Sequence, residues 1–201
     1  MKIKFIYSKL NELNKLTDIY SEYQWFFDQK FPIYLPKFYD KIYHDAKGKK
    51  KLFVNALTKE FGKIYRREDY ITKTNQIRHN WLQIENQFIA ILENLGFKLK
   101  NKYICKTSLY GPQGQFRYPN TVNLRARVKN DIKYANETIA HEIIHLVIYS
   151  KAKKMKLSYP QIEGVVDLFF KETKLKNMFP KYELQSIAAH NKAVLNKIIK
   201  H

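Results

Sequence analysis

Apolar positions along the chain change period several times, and each change predicts an element. Residues 1 to 8, "MKIKFIYS", alternate lysine with Ile3 and Phe5 and end at Tyr7, which predicts a short strand with one buried face. From about 9 to 29 the spacing turns helical, with Leu10, Leu13, Leu16, Ile19, Tyr20 and Tyr23 forming a stripe. The two prolines of "FPIYLP", 31 to 36, end that helix. "KGKKK" at 47 to 51 predicts an exposed turn, and 52 to 66 a further amphipathic helix. Residues 75 to 95 predict a longer helix, with Ile77, Trp81, Ile84, Phe88, Ile91 and Leu92 facing inward and Gly96 terminating it.

The period then shortens. "FKLKNKYICKTSLYG" and "QFRYPNTVNLRARV" read as strands flanking "GPQG" at 111 to 114, which predicts a hairpin. Within the second strand, Val122, Leu124 and Ala126 alternate with Asn123, Arg125 and Arg127. Helix signals return at Asn130-Asp131, residues suited to an N-cap, and at "SYPQIE", where Pro160 suits a helix start. A last helix is predicted from about 182 to 199. The sum is an α+β chain in two parts. Residues 1-74 form a mainly helical N-terminal region and 75-201 a mixed region, joined as one continuous globule.

Composition narrows the chemistry. A chain of 201 residues with a hydrophobic share of 45% is long and apolar enough for one cored domain. The single cysteine, Cys105, excludes an internal disulfide and a thiolate metal cluster, so any metal must be held by His, Asp or Glu. The start "MKIKFIYSKLNELNKL" lacks the continuous apolar stretch and cleavage site of a signal peptide, and no run approaches the roughly 20 apolar residues of a membrane span. The expectation is a soluble, cytoplasmic protein with no membrane partner. Thirty-seven Lys+Arg against 18 Asp+Glu give +19, a field that attracts nucleic acid or acidic protein surfaces. The lysines are scattered, however, without an arginine-rich block or an aromatic RNA-binding signature, and read first as a general surface property.

One stretch stands apart. "ETIAHEIIHLVIY", 137 to 149, is apolar except for His141, Glu142 and His145 among its inner residues. On a helix, residues i and i+4 share a face, so His141 and His145 can turn their imidazoles to one zinc ion at about 2 Å each. Glu142 then lies beside the metal, where it can take a proton from a zinc-activated water. The bland alternative is a core helix with two hydrogen-bonded histidines. A catalytic zinc takes a third protein ligand. No histidine follows soon after His145, so the ligand must be a carboxylate. Glu163 and Asp167 are the only acidic residues between 146 and 171, stand four apart, and interrupt the apolar run "YPQIEGVVDLFF". Burying two carboxylates is costly unless something pairs with them. Glu163 is therefore the expected third ligand, and Asp167 the expected partner for the other ring nitrogen of His141.

The paired motif His141-Glu142-x-x-His145 and Glu163-x-x-x-Asp167, separated by residues 146 to 162, resembles that of the gluzincins, the thermolysin-like clan of zinc metallopeptidases, in a minimal intracellular form. The resemblance covers about 75 to 175. It implies a zincin-like fold: a small twisted, mostly antiparallel sheet packed on a backing helix and the active-site helix, here with a helical N-terminal extension. It implies one Zn2+ per chain, a protein or peptide substrate, and peptide hydrolysis with Glu142 as general base. It also implies that the strand before the active-site helix is an edge that binds substrate, here Asn123, Leu124, Arg125 and Ala126. Clan enzymes stabilise the oxyanion with a His or Tyr. The candidates are His190, in "SIAAHNK", and Tyr159, four residues before Glu163. The competing reading is a basic nucleic-acid- or protein-binding regulator that keeps a zincin-like fold and a non-catalytic zinc site.

Overall fold

The computed structural model describes residues 1–28 and 31–199. The alternating start is indeed a strand, β1 (Lys2–Ile6), followed by α1 (Lys9–Asp28), α2 (Tyr39–Asp45), α3 (Lys50–Ile64), α4 (Arg67–Leu82) and α5 (Glu85–Asn94). Three strands come next: β2 (Lys102–Ser108), β3 (Gly114–Arg117) and β4 (Thr121–Arg125). The chain then runs through α6 (Lys129–Lys133), α7 (Ala135–Lys154), α8 (Tyr159–Glu172), α9 (Leu175–Met178) and α10 (Lys192–Ile199). The class is α+β with a four-stranded mixed sheet, and no described helix is long and apolar enough to cross a membrane.

The sheet order is β1-β2-β4-β3. β1 pairs with β2 in parallel, Lys2 opposite Lys102, and β2 pairs with β4 in parallel, Cys105 opposite Val122. Only β3 and β4 are antiparallel, Gln115 opposite Asn123. The expected mostly antiparallel sheet is therefore corrected: two of its three pairings are parallel. The expected hairpin about "GPQG" is corrected too. That loop carries the chain past β4 to the far edge, and the hairpin closes through residues 118 to 120 instead.

The buried apolar residues form two cores. Tyr103, Cys105, Val122 and Leu124 point into the larger one, against Ile77, Trp81, Phe88, the inner face of α7 and the Phe169–Phe170 pair of α8. A fully buried side chain of this size contributes about 1.5–3 kcal/mol. The smaller core joins α1, α2 and α3 through Leu16, Ile19, Tyr39, Phe53, Leu57 and Phe61, and takes in Leu109 and Tyr110 from the loop after β2. A division at 74/75 cuts through α4, and the sheet takes its first strand from the N-terminal region, so the sheet is built from both parts.

One helical expectation also changes. The predicted helix 75 to 95 is two helices. The Ile84 amide bonds the Trp81 carbonyl at 3.0 Å, a tight turn that re-aims the chain. Glu85 then accepts hydrogen bonds from Trp81 Nε1 and from the Ile3 amide on β1. The first long helix is described as α1 up to Asp28; its expected end at about 29 lies outside the described residues.

Candidate metal centre

Local signals set up the two helices that matter. Before α7, Asp131 works from the third position of α6 rather than as an N-cap. Its carboxylate accepts from the Arg127 and Val128 amides and binds the buried Arg125 guanidinium. Burial alone would push the Asp131 carboxyl up, but Arg125 and the two amides hold it below its ordinary value. α8 starts as its sequence predicts, with Pro160 in the first turn and the Gln161 side chain reaching back to the Ser158 amide at 2.9 Å.

α7 presents His141 and His145 one turn apart, and α8 brings Glu163 to them. His145 Nε2 lies 3.0 Å from His141 Nε2. Glu163 Oε2 lies 3.3 Å from His141 Nε2, and Oε1 lies 3.3 Å from His145 Nε2. Ligands at about 2.0–2.1 Å in tetrahedral array stand about 3.3 Å from one another. These three donors have that spacing and could hold a metal ion. The charges also fit. Among the described residues, no Lys or Arg pairs with Glu163; its carboxylate faces the two imidazole nitrogens and has the Tyr159 hydroxyl nearby. Burial pushes the Glu163 carboxyl up, but the two imidazoles beside it outweigh that and hold it well below the usual range. His145 stacks on Phe116 at 4.8 Å, and its Nδ1 is buried without a partner.

Glu142 is buried beside this group. Burial pushes its carboxyl up to about 7; the Glu163 charge adds to the rise, while His141 and a hydrogen bond from the Phe116 amide oppose it. Gly114 makes room for it, because a methyl group there would collide with Glu142 Oε1 and with Thr138.

Several expectations change here. Asp167 does not touch His141. Tyr182 stands between them, its hydroxyl 2.9 Å from His141 Nδ1 and 2.7 Å from Asp167 Oδ1. His190 is not on a helix. It bonds Asp167 Oδ2 through Nε2 at 2.8 Å, which ties it to α8. The helix predicted from 182 begins only at Lys192, because the segment before it is bound to α8. The Gln185 amide bonds Asp167 Oδ2, the Ala189 amide bonds the Pro160 carbonyl, and Gly164 lets the Ala189 carbonyl lie against α8. Tyr159 does reach the site. Its ring is half exposed, and burial with the nearby charges of Glu163 and Glu142 raises its hydroxyl above the ordinary tyrosine value, which keeps it protonated.

The expected edge strand is an inner one. β4 lies between β2 and β3, and Asn123, Leu124, Arg125 and Ala126 are buried. The Ala126 amide bonds Ser108 on one side and the Arg125 amide bonds Gln113 on the other. The free edge beside Glu142 is β3. Antiparallel pairing alternates, and since residue 113 bonds β4, the backbone groups of Gly114 and Phe116 point away from it. The Phe116 amide reaches Glu142. Sequence reasoning missed Gly114, Phe116 and Tyr182. The two strand residues were hidden by the wrong hairpin, and Tyr182 by the predicted helix.

Comparison with protein-family models, curated proteins and solved structures finds no significant match.

Proposed function

We propose that the protein is a zinc-dependent peptidase of gluzincin type with a zincin-like fold. The observation that carries this reading is the convergence of His141 Nε2, His145 Nε2 and Glu163 carboxylate oxygens, with Glu142 on the next residue of the same helix. Two imidazoles and one carboxylate suit zinc and leave a fourth position open. Bound there, zinc would supply Lewis acidity to the scissile carbonyl and to the attacking water.

The chain's own residues supply the rest. Glu142 takes the proton of the water at its carboxylate and hands it to the leaving amine nitrogen. The missing side chain at Gly114 leaves the room that this carboxylate occupies. The outward Gly114 amide and the outward carbonyls of β3 would pair with an extended peptide as an added strand. Tyr159, protonated at the mouth of the site, is the group suited to donate a hydrogen bond to the oxyanion.

Elemental analysis is expected to find about one zinc per chain, and none in the His141→Ala, His145→Ala double variant. Glu142→Gln should keep the zinc and cut hydrolysis of a peptide library by about 100- to 10,000-fold. Full activity in that variant would sink the peptidase reading.

A second reading keeps zinc but not hydrolysis. Lys2, Lys4, Lys102 and Lys106 share one face of the sheet, which supports a basic surface for nucleic acid or an acidic protein. Affinity for DNA or RNA that falls steeply with salt, in a protein without peptidase activity, would favour it.

A further inference from the structure

Asp167 is fully buried on α8, and both of its oxygens are taken up by the segment that follows α9. Oδ1 accepts from the Tyr182 hydroxyl, and Oδ2 from the Gln185 amide and His190 Nε2. The Tyr182 ring is itself buried and lies flat against Phe170, centroids 3.8 Å apart and planes 2° from parallel. Packing therefore fixes where its oxygen stands, 2.9 Å from His141 Nδ1.

Hydrogen-bond capacity then fixes the protons. A carboxylate only accepts, so Tyr182 gives its single proton to Asp167. Toward His141 it has only lone pairs, so Nδ1 of His141 must carry a hydrogen and donate it. A neutral imidazole has one N–H, which leaves the lone pair on Nε2. That is the nitrogen facing Glu163 and His145. Hydrogen bonds in a chain also polarise one another, so a phenol oxygen that donates to a carboxylate is a better acceptor for the ring.

We infer that Tyr182 is a positioning residue of the metal site, which relays the Asp167 carboxylate to His141 and fixes the ring and tautomer that offer Nε2 as a ligand. The inference rests on the metal reading of His141, His145 and Glu163. Its consequence is that metal affinity depends on residues 182 to 190 being docked on α8, because Tyr182, Gln185 and His190 share Asp167 as their anchor.

The test is Tyr182→Phe, which keeps the ring against Phe170 and removes only the oxygen. Zinc affinity, measured in the full chain by competition with a chromophoric chelator, should weaken by about 10- to 100-fold. In the metal-free wild type, long-range proton–nitrogen NMR of the imidazoles should find His141 protonated at Nδ1, and that preference should be lost in the variant. A role in packing alone would leave the tautomer unchanged. A wild type that binds no zinc sinks the metal reading. A wild type that binds zinc, beside a Tyr182→Phe chain of equal affinity and tautomer, overturns the relay. If Tyr182→Phe does not fold, the wild-type spectrum decides, and a proton on His141 Nε2 overturns the relay.

Discussion

The molecule buries glutamates in two places, and Glu12 in the first and Glu163 in the second are treated differently. In the N-terminal region Glu12 is 1% exposed, and its carboxylate accepts from the Leu109 and Tyr110 amides. Lys15, one turn on and also buried, stands by as its counter-charge and donates to Ser108 Oγ at 2.8 Å. The chain thus supplies every partner this carboxylate needs. In the second place Glu163 faces two imidazoles, with no Lys or Arg paired to it among the described residues. The first nest is closed by its own charges. The second gathers three donors that could hold a cation from outside the chain. A buried charge whose compensating charge the chain does not supply is a candidate functional site.

The comparison makes its strongest statement as a pair of substitutions with opposite effects. Glu163→Gln keeps the shape and removes the charge that a metal needs. Zinc affinity should fall by more than about 100-fold, beyond the loss for a residue that only supports a ligand, with little change in the urea midpoint of the metal-free chain. Glu12→Gln should do the reverse. The amide oxygen still accepts from Leu109 and Tyr110, but Lys15 loses its counter-charge, so stability should drop by about 3 kcal/mol while zinc content stays the same. Chelator competition and urea unfolding on the same two variants check both. Loss of stability from Glu163→Gln together with unchanged zinc affinity would make the second nest structural like the first.

The sequence reveals the second nest far better than the first. Two of its three donors lie at helical spacing on α7, and the helix that brings the third, α8, starts on local signals, Pro160 and Gln161. An i, i+4 pattern is a local property and can be read from the chain. Glu12 and Lys15 also lie on one helix, but their meaning depends on Ser108, Leu109 and Tyr110, far away in sequence, and nothing local marks them as buried. The sheet was misread for the same reason. β1 pairs in parallel with β2 across five helices, a pairing with no turn chemistry to announce it. "GPQG" carries the residues of a hairpin turn, yet the loop is held from the N-terminal side: Tyr34 and Gly111 exchange backbone hydrogen bonds, and the Lys15 side chain packs where a Cβ of Gly111 would stand. Tyr182 escaped because "KYELQSIAAHNKAV" has enough helix formers to continue α10 backwards. The amides of Gln185 and Ala189 bond α8 instead, a tertiary override of a local preference.

The smallest expected effect sharpens the comparison through pH. Burial pushes both members of the first nest toward their neutral forms, Glu12 from 4.5 up to about 7 and Lys15 from 10.5 down to about 8, while the charge of each opposes the other's shift. Between 4.5 and 7 the folded chain holds more of the Glu12 proton than the unfolded chain does, so stability falls as pH rises through that window. Between 8 and 10.5 the folded chain holds less of the Lys15 proton, so stability climbs again. The nest therefore contributes least between about 7 and 8. The other titrating groups of the molecule cancel if the wild type is compared with the Glu12→Gln, Lys15→Met double variant, which keeps acceptors for Leu109 and Tyr110 and removes both charges. The difference in urea midpoint between the two chains, plotted from pH 5 to 10, should trace a valley with its floor between 7 and 8. A flat difference would mean that the pair stays fully ionised across the range, held by each other more firmly than burial drives them apart. In that case both nests would be ionic, and the contrast between them would rest on the source of the cation alone.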